Sequence, residues 1–520
     1  MRGSSSHDPW ITAALAVGTL LLLANLGNGR LWQDEAETAV LGRSILRVGY
    51  PCAFDGVNRL NPALPVQEGS AWTYHSWLPF YLVAASFWAL GFTTVAARLP
   101  CALLGVASVW LGVRLAARWT RDLLVTRLTA LFLATSVPFI LHMRQCRYYS
   151  PAVFFTLWTV WAYWRFYSKR RLASLELIGA LTFLFHADHG VFLPVLIACG
   201  IHFSSTRPGV EAWHRWGKVL VTTLALTTPW VIYLQAGQHH KAFSFIELRH
   251  HLEFYFRQIN RFLFPVGFWA LVVLWRRPGL STLCGERGTP VRTAWGLVGC
   301  VLLAGIFFLI LVPEQRHFRY LIFLIPFLGM VQAALLAQVL RKRFVIGIGL
   351  TATLILTDFL HYSGPSVLVA HLPGLKLRHP SQARIRSLPM EFLGELTHSY
   401  QGPIDGIVEY LQSHSTAGQT VKTPPAEDHP LLFYTNLVIE PMASLSEFGR
   451  ETYPHWIILR RDWLPNGFLE SAYFSRIQQR YERIVLDAPD IPWQNRPDPG
   501  YHRFLTDRRA PSVTVFKRKS

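Results

Sequence analysis

Two adjacent carboxylates follow the first apolar segment of this 520-residue chain. Asp34 and Glu35 come shortly after residues 10–27, a segment long enough to cross a bilayer. If that segment spans with its N-terminus in the cytoplasm, the pair emerges at the opposite face. A carboxylate there could accept a proton from a substrate hydroxyl beside lipid. The pattern alone is as typical of a solvated loop, which is how we interpret Glu37.

Composition indicates a membrane protein. The chain is 51% hydrophobic with a mean hydropathy of +0.26, and its apolar residues come in blocks. The net charge of +19 comes from 50 Lys+Arg against 31 Asp+Glu, and much of the excess lies in short clusters between those blocks, as in cytoplasmic loops. The charge therefore gives no argument for a nucleic-acid partner. A cleaved signal peptide is the alternative interpretation of the first block, although its charged start amounts to Arg2.

We expect an all-α polytopic membrane domain over residues 1–365, with about eleven transmembrane helices. The apolar stretch 75–90 follows a polar segment and contains Pro79, so we interpret it as an interfacial helix on the outer face. The eleven spans are expected near residues 10–27, 96–116, 122–141, 150–167, 172–187, 188–203, 217–234, 262–275, 293–312, 319–340 and 344–361.

This assignment places five consecutive basic loops inside, in agreement with the positive-inside rule. Counting 75–90 as a span would move all five outside. The inside clusters are expected at residues 114–127, 165–171, 207–218, 276–292 and 341–343. The outer face then receives the polar segments 34–35, 144–150, 186–189, 235–261 and 313–319.

After residue 365 the apolar blocks stop, and a small C-terminal soluble α/β domain is expected over residues 366–520. Residues 363–389 have the composition of a linker. Short β-rich runs alternate with helical stretches at residues 404–413 and 468–481. Strands are expected at residues 420–423, 431–435, 456–459, 483–486 and 513–516.

The segment from Gln33 to Pro51, QDEAETAVLGRSILRVGYP, resembles the first outer loop of membrane glycosyltransferases of the GT-C superfamily, particularly the protein O-mannosyltransferase and aminoarabinose transferase branch. The order of the later motifs is similar to that branch over roughly residues 10–340. Tyr149-Ser150-Pro151 departs from it, since some relatives have an aspartate before that proline. The later motifs are His75-Ser76-Trp77-Leu78-Pro79, Ala97-Arg98-Leu99-Pro100, Arg144-Gln145-Cys146-Arg147-Tyr148-Tyr149 and Arg319-Tyr320.

The resemblance implies an enzyme that moves a sugar from a polyprenyl-phosphate carrier to an acceptor hydroxyl on a lipid, glycan or protein. Asp34 matches the catalytic aspartate of the family, and Glu35 matches its second acidic position, for which we expect a supporting role. A single base would invert the anomeric centre. The resemblance also implies a bacterial inner membrane. The outer face, to which the topology assigns the catalytic loops and the C-terminal domain, is then the periplasmic side.

The leaving group of such a reaction is an anionic lipid phosphate, which cations and rigid donors would stabilise. The alternative for each of the arginines named below is that its side chain snorkels to lipid headgroups and does not contact the donor. His75, His189 and Arg261 are expected to line the substrate site. We predict no required metal or cofactor. His186-Ala187-Asp188-His189 contains possible zinc ligands, but we interpret it as a polar hinge between two short helices in which the histidines act as helix caps. The candidate donor-phosphate ligands are Arg144, Arg147, Tyr148, His317, Arg319 and Tyr320.

Two other functions fit a polytopic chain with polar outer residues. A lipid or solute transporter is the first, although the sequence shows no paired discontinuous helices and no symmetry between its halves. An inert scaffold that displays the soluble domain is the second, and it should tolerate changes at Asp34.

Overall fold

The protein is mostly helical. The computed structural model describes residues 8–61, 70–233, 245–276, 290–311, 316–363, 385–424, 427–441, 453–464, 467–470, 472–492 and 494–519. Its helices are α1 Pro9–Leu23, α2 Gln33–Val48, α3 Leu78–Leu90, α4 Thr94–Thr120, α5 Leu123–Thr135, α6 Val137–Met143, α7 Tyr149–Tyr167, α8 Ala173–Ala187, α9 His189–Ser205, α10 Val210–Tyr233, α11 Phe245–Gln258, α12 Val266–Arg276, α13 Pro290–Leu311, α14 Ile325–Lys342, α15 Phe344–Leu356, α16 Leu388–Thr397, α17 Pro403–His414, α18 Asp428–Tyr434 and α19 Ala472–Arg480.

Each of the eleven predicted apolar segments contains a helix. By length and composition, three helical stretches of the described chain could cross a membrane unaided: Thr94–Thr120, Pro290–Leu311 and Phe318–Lys342. A bent pair would make a fourth. Other apolar helices, such as α1 and α15, are shorter than 18 residues. The predicted count of about eleven spans is therefore not confirmed.

The bent pair replaces the continuous helix expected over residues 122–141. Helices α5 and α6 meet at an angle of 59°, with Ser136 between them in extended conformation. Pro138 lies in the first turn of α6. Its missing N–H costs nothing there, because N–H groups in the first turn of a helix have no intrahelical acceptor. The proline thus starts a new helix and does not continue the old one.

The described chain divides into two compact units, each of which is treated by itself. The first unit comprises Met1–Ala24, Cys101–Arg144 and Tyr148–Phe392. The second comprises Asn25–Pro100, Gln145–Arg147 and Leu393–Ser520. The C-terminal domain is therefore grouped with helix α2, which contains Asp34. The boundary predicted between residues 365 and 366 lies outside the described residues.

A five-stranded mixed sheet lies in the second unit. β1 (Thr420–Thr423) pairs in parallel with β2 (Val438–Pro441) and β3 (Trp456–Leu459), and β5 (Ser512–Arg518) pairs antiparallel with β3 and β4 (Tyr481–Pro489). The strand order is β2-β1-β3-β5-β4. This arrangement confirms four predicted strands and adds β2, which the sequence did not predict.

The fifth predicted strand, at residues 431–435, is wrong. These residues lie in helix α18 and its C-terminal cap. A short apolar run such as Leu431–Tyr434 fits a buried strand and a buried helix equally well. The preceding Asp428 lies in the first turn of the helix, where a negative charge is favourable.

Candidate active site

Helix α2 positions the predicted acidic pair. The helix begins after Trp32, whose backbone is extended, and ends at Gly49, whose φ of 86° is left-handed. Asp34 and Glu35 lie in its first turn, where the backbone N–H groups favour negative charge. Glu35 is fully buried, whereas Asp34 is half-buried. Asp34 is therefore the partly accessible carboxylate of the pair.

Glu35 forms a buried bidentate ion pair with Arg98. Arg98 Nε donates to Glu35 Oε1 at 2.8 Å, and Nη2 donates to Oε2 at 2.7 Å. The Cys146 backbone N–H also donates to Oε1, at 2.9 Å. Arg98 Nη1 donates to the carbonyl oxygens of Leu26 and Asn28, both at 3.0 Å. Glu35 thus connects the first turn of α2 to Arg98 and to the Cys146 backbone, and through Arg98 to residues 26–28. We therefore interpret it as a positioning residue.

Glu37 is buried, and its interpretation as a solvated loop residue is wrong. It is 5% exposed, and its Oε1 accepts a hydrogen bond from Arg147 Nη1 at 2.6 Å. Burial alone would raise the pKa of Glu37, but the Arg147 cation, followed by His75 and His429, lowers it below its usual value. The pairing joins residues 110 positions apart, so local sequence could not reveal it.

Arg147 also holds the backbone beside the candidate base. Its Nη1 donates to the Asp34 carbonyl oxygen at 3.0 Å and to Thr38 Oγ1 at 3.1 Å. Its Nη2 lies 3.2 Å from His75 Nε2. The structure therefore places Arg147 and His75 together with Asp34 and gives Arg147 a positioning role. Donor-phosphate contact by Arg147 stays a prediction.

The C-terminal domain contributes a histidine to this cluster. His429 lies on α18 and is buried, with Nε2 2.9 Å from Asn61 Oδ1 and Nδ1 3.3 Å from the Gln33 carbonyl oxygen. Asn61 Nδ2 in turn donates to Glu37 Oε2 at 3.1 Å. His429 was missed because it lies 396 positions from Gln33. The adjacent polar pair Asp428-His429, which precedes an apolar run, was the available indication.

The first unit gathers other predicted residues around Tyr148. Burial raises the pKa of the Tyr148 phenol well above its usual value, and the nearby Arg319 cation opposes this rise. Tyr320 also lies within electrostatic range of Tyr148. The Arg319 guanidinium stacks 5.6 Å from the Tyr320 ring centre, and the His317 ring lies 5.6 Å from the same ring. These four predicted donor-phosphate residues therefore form one half-buried group.

Two further arginines of the first unit have separate surroundings. Arg144 is 8% exposed, donates to the Leu21 carbonyl oxygen at 2.7 Å and stacks on Phe392. Arg261 lies in a π-helical turn and lines a cavity with residues including His361. A structural contact thus occupies Arg144, while a cavity-lining role remains open to Arg261.

The hinge expected at residues 186–189 is present. Asp188 caps helix α9, since its Oδ1 accepts hydrogen bonds from the N–H groups of Gly190 at 2.8 Å and Val191 at 3.4 Å. The cap is thus an aspartate, whereas we had expected the histidines to act as caps. His189 begins α9 and is half-buried. Its expected contact with substrate stays a prediction.

Solved structures of similar fold cover nearly the whole chain. ArnT from Cupriavidus metallidurans in the apo state matches with a TM-score of 0.55 and 15% identity, over 98% of this chain and 97% of that one. The same protein bound to undecaprenyl phosphate matches with a TM-score of 0.53 and 15% identity over 98% of each chain. The chain has the GT-C fold. The arabinofuranosyltransferase AftD from Mycobacteria also matches, with a TM-score of 0.51 and 15% identity, over 99% of this chain and 40% of AftD.

The resemblance predicted from sequence motifs is thus confirmed for the GT-C fold. Sequence comparison alone does not reach it, because no family model and no curated protein matches this chain. At 15% identity, the structural likeness establishes architecture, while function must be argued from the residues of the site.

Among the described ranges, no group of three or more His, Cys, Asp or Glu side chains is arranged to hold a metal ion. The nearest acids to Asp34 already have cationic partners, since Glu35 pairs with Arg98 and Glu37 with Arg147. Metal independence stays a prediction.

Proposed function

We propose that this protein is an integral-membrane glycosyltransferase that moves a sugar from a polyprenyl-phosphate donor to an acceptor hydroxyl. Asp34 is the general base. The observation that carries the proposal is a difference in burial among three acids on helix α2. Glu35 and Glu37 are buried and paired with arginines, whereas Asp34 is half-buried at the start of the helix. A base must reach its substrate, and Asp34 is the member of this set with partial exposure.

In the proposed reaction the acceptor oxygen attacks the anomeric carbon. Asp34 takes the proton of the acceptor hydroxyl as the new C–O bond forms, and the bond from the anomeric carbon to the phosphate oxygen breaks. The polyprenyl phosphate leaves with that electron pair. Attack opposite the leaving group inverts the anomeric centre. Glu35 and Arg147 hold the α2 start in place, which keeps the base oriented for proton transfer.

The leaving phosphate needs cations and donors to stabilise its charge. We assign this role to the group of Tyr148, His317, Arg319 and Tyr320 on chemical grounds, because a guanidinium binds phosphate through two parallel hydrogen bonds and phenols donate further ones. The undecaprenyl phosphate bound to ArnT, a protein of the same fold, supports a lipid phosphate as the carrier. We place the reaction on the periplasmic face of a bacterial inner membrane.

The proposal is tested with the full-length protein in lipid nanodiscs. Undecaprenyl-phosphate-linked pentoses and hexoses are offered one at a time, with a lipid and glycan extract as acceptor. We expect one donor to give stoichiometric release of undecaprenyl phosphate and a new glycosylated product by mass spectrometry. Movement of the intact donor across proteoliposome membranes, without any covalent product from the panel, would refute the proposal and favour a transporter.

A further inference from the structure

A cleft in the first unit is lined by cations. It has a volume of about 1170 Å³ and lies where α4 and α7 end. Among the described residues, its lining contains no carboxylate. We call it the basic cleft, and its charged and aromatic members are Arg114, Arg118, Arg121, Lys169, Arg170, Trp161 and Trp164.

Each of the two turns that border the basic cleft has a cationic residue at a position where glycine would be less strained. Arg121 follows α4 with a φ of 52°, and Lys169 follows α7 with a φ of 52°. Side chains rarely adopt this left-handed conformation, which glycine adopts without strain. The two positions therefore retain positive side chains at a conformational cost.

The cations of the basic cleft repel one another. Arg118 lies within electrostatic range of Arg121, Arg165 and Arg170, all of the same charge. Arg118, Arg121 and Arg170 are exposed. Like charges gathered in one concavity raise the local positive potential and attract anions.

The acids nearest in sequence do not neutralise this set. Asp122 pairs with Arg341 from α14, and Glu176 pairs with Arg165 at 3.1 Å. Each of these carboxylates thus serves an arginine that does not line the cleft. Among the described residues, no carboxylate pairs with a cation that lines the cleft.

Three tryptophans lie in or beside the basic cleft. The Arg118 guanidinium lies 6.0 Å from the Trp161 ring centre. Trp164, another lining residue, packs with its ring centre 6.0 Å from that of Trp119. Trp119 is 3% exposed, and its indole N–H has no acceptor among the described residues. Tryptophans concentrate at the headgroup level of a bilayer, and the partly exposed Trp161 fits a position of the cleft near lipid phosphates.

We propose that the basic cleft binds the phosphate headgroup of an anionic phospholipid from the cytoplasmic leaflet. The loops that form it are two of the five basic loops assigned to the cytoplasm by their charge. Basic pockets between membrane helices on that side bind anionic headgroups. The site is separate from the reaction proposed for Asp34 and does not depend on it.

The test measures lipid binding to the full-length protein by native mass spectrometry. Phosphatidylglycerol or phosphatidylcholine is titrated into detergent-solubilised wild type and into Arg118→Gln/Arg170→Gln. We expect wild type to prefer phosphatidylglycerol, and the double variant to bind it roughly 30-fold more weakly, since each cation contributes roughly fivefold. Arg207→Gln/Lys218→Gln removes the same charge from exposed residues outside the cleft and should weaken binding less than the cleft variant does.

Equal binding of the two lipids by wild type, or equal losses in the cleft and control variants, would overturn the proposal. Displacement of phosphatidylglycerol by low concentrations of inorganic phosphate would also overturn it, in favour of a soluble anion. If the double variant does not fold, Arg170→Gln alone changes an exposed turn residue and should weaken binding roughly fivefold.

Discussion

Replacing Glu37 by glutamine should destabilise the protein by about 3–5 kcal/mol, because it leaves the buried Arg147 charge without its partner. The two side chains are 7% and 5% exposed, and their closest atoms are 2.6 Å apart. At this depth water can hardly replace the lost carboxylate charge. A solvent-exposed pair would be worth only about 0.2–1 kcal/mol. Burial therefore sets the expected magnitude.

The assay is the free energy of unfolding, measured by denaturant titration of the nanodisc-reconstituted protein. Glu253→Gln is the matched control, since Glu253 pairs with Arg257 and both side chains are at least half exposed, at 58% and 50%. The control should lose less than about 1 kcal/mol. If Glu37→Gln lost no more than Glu253→Gln, the buried pair would not have the role described above.

Three other predictions concern pH, packing and the donor. The pKa of Glu37 in the folded protein is lowered from 4.5, so the stability that Glu37 contributes is complete above pH 4.5 and is lost as pH falls through the folded pKa. Unfolding titrations of wild type should show this loss of stability at acidic pH. The same pH-dependent loss in Glu37→Gln would contradict the prediction. Gly42→Ala would place a Cβ 2.9 Å from Val83 Cγ1 and should lower the free energy of unfolding by about 1–3 kcal/mol. Gly349→Ala, whose added Cβ would meet no atom within 4 Å, should not lower it. Equal free energies of unfolding for the two variants would exclude the clash. Arg319→Gln should lower kcat/KM for the active donor by about 10–100-fold, and an unchanged value would remove Arg319 from the phosphate site.

Sequence patterns predicted which segments form helices better than they predicted how long each helix is. All eleven apolar segments contain helices, yet the helix pair within residues 122–141 is bent by 59°, because Ser136 is extended and Pro138 lacks the N–H that would continue helical hydrogen bonding. Hydropathy registers neither feature. In the soluble domain, β2 was missed and α18 was taken for a strand. Both errors concern runs of four or five residues, for which periodicity cannot separate helix from strand.

The candidate site was predictable where its chemistry is local. Asp34 and Glu35 stand together after an apolar segment, and a motif of adjacent residues suffices to find them. The partners of the acids could not be found in this way, because Arg147 meets Glu37 across 110 positions. His429 reaches the α2 start from the C-terminal domain. Such pairings depend on tertiary packing, which a single sequence does not encode in any local pattern.

The central claim is that Asp34 accepts the acceptor proton, and sugar transfer by Asp34→Asn tests it most directly. The variant should fold like wild type, because the substitution keeps the shape of a half-buried side chain. Transfer from the active donor should fall by about 10²–10⁴-fold, while Asp487→Asn, at an exposed position of β4, should transfer like wild type. Wild-type turnover by folded Asp34→Asn would contradict the account.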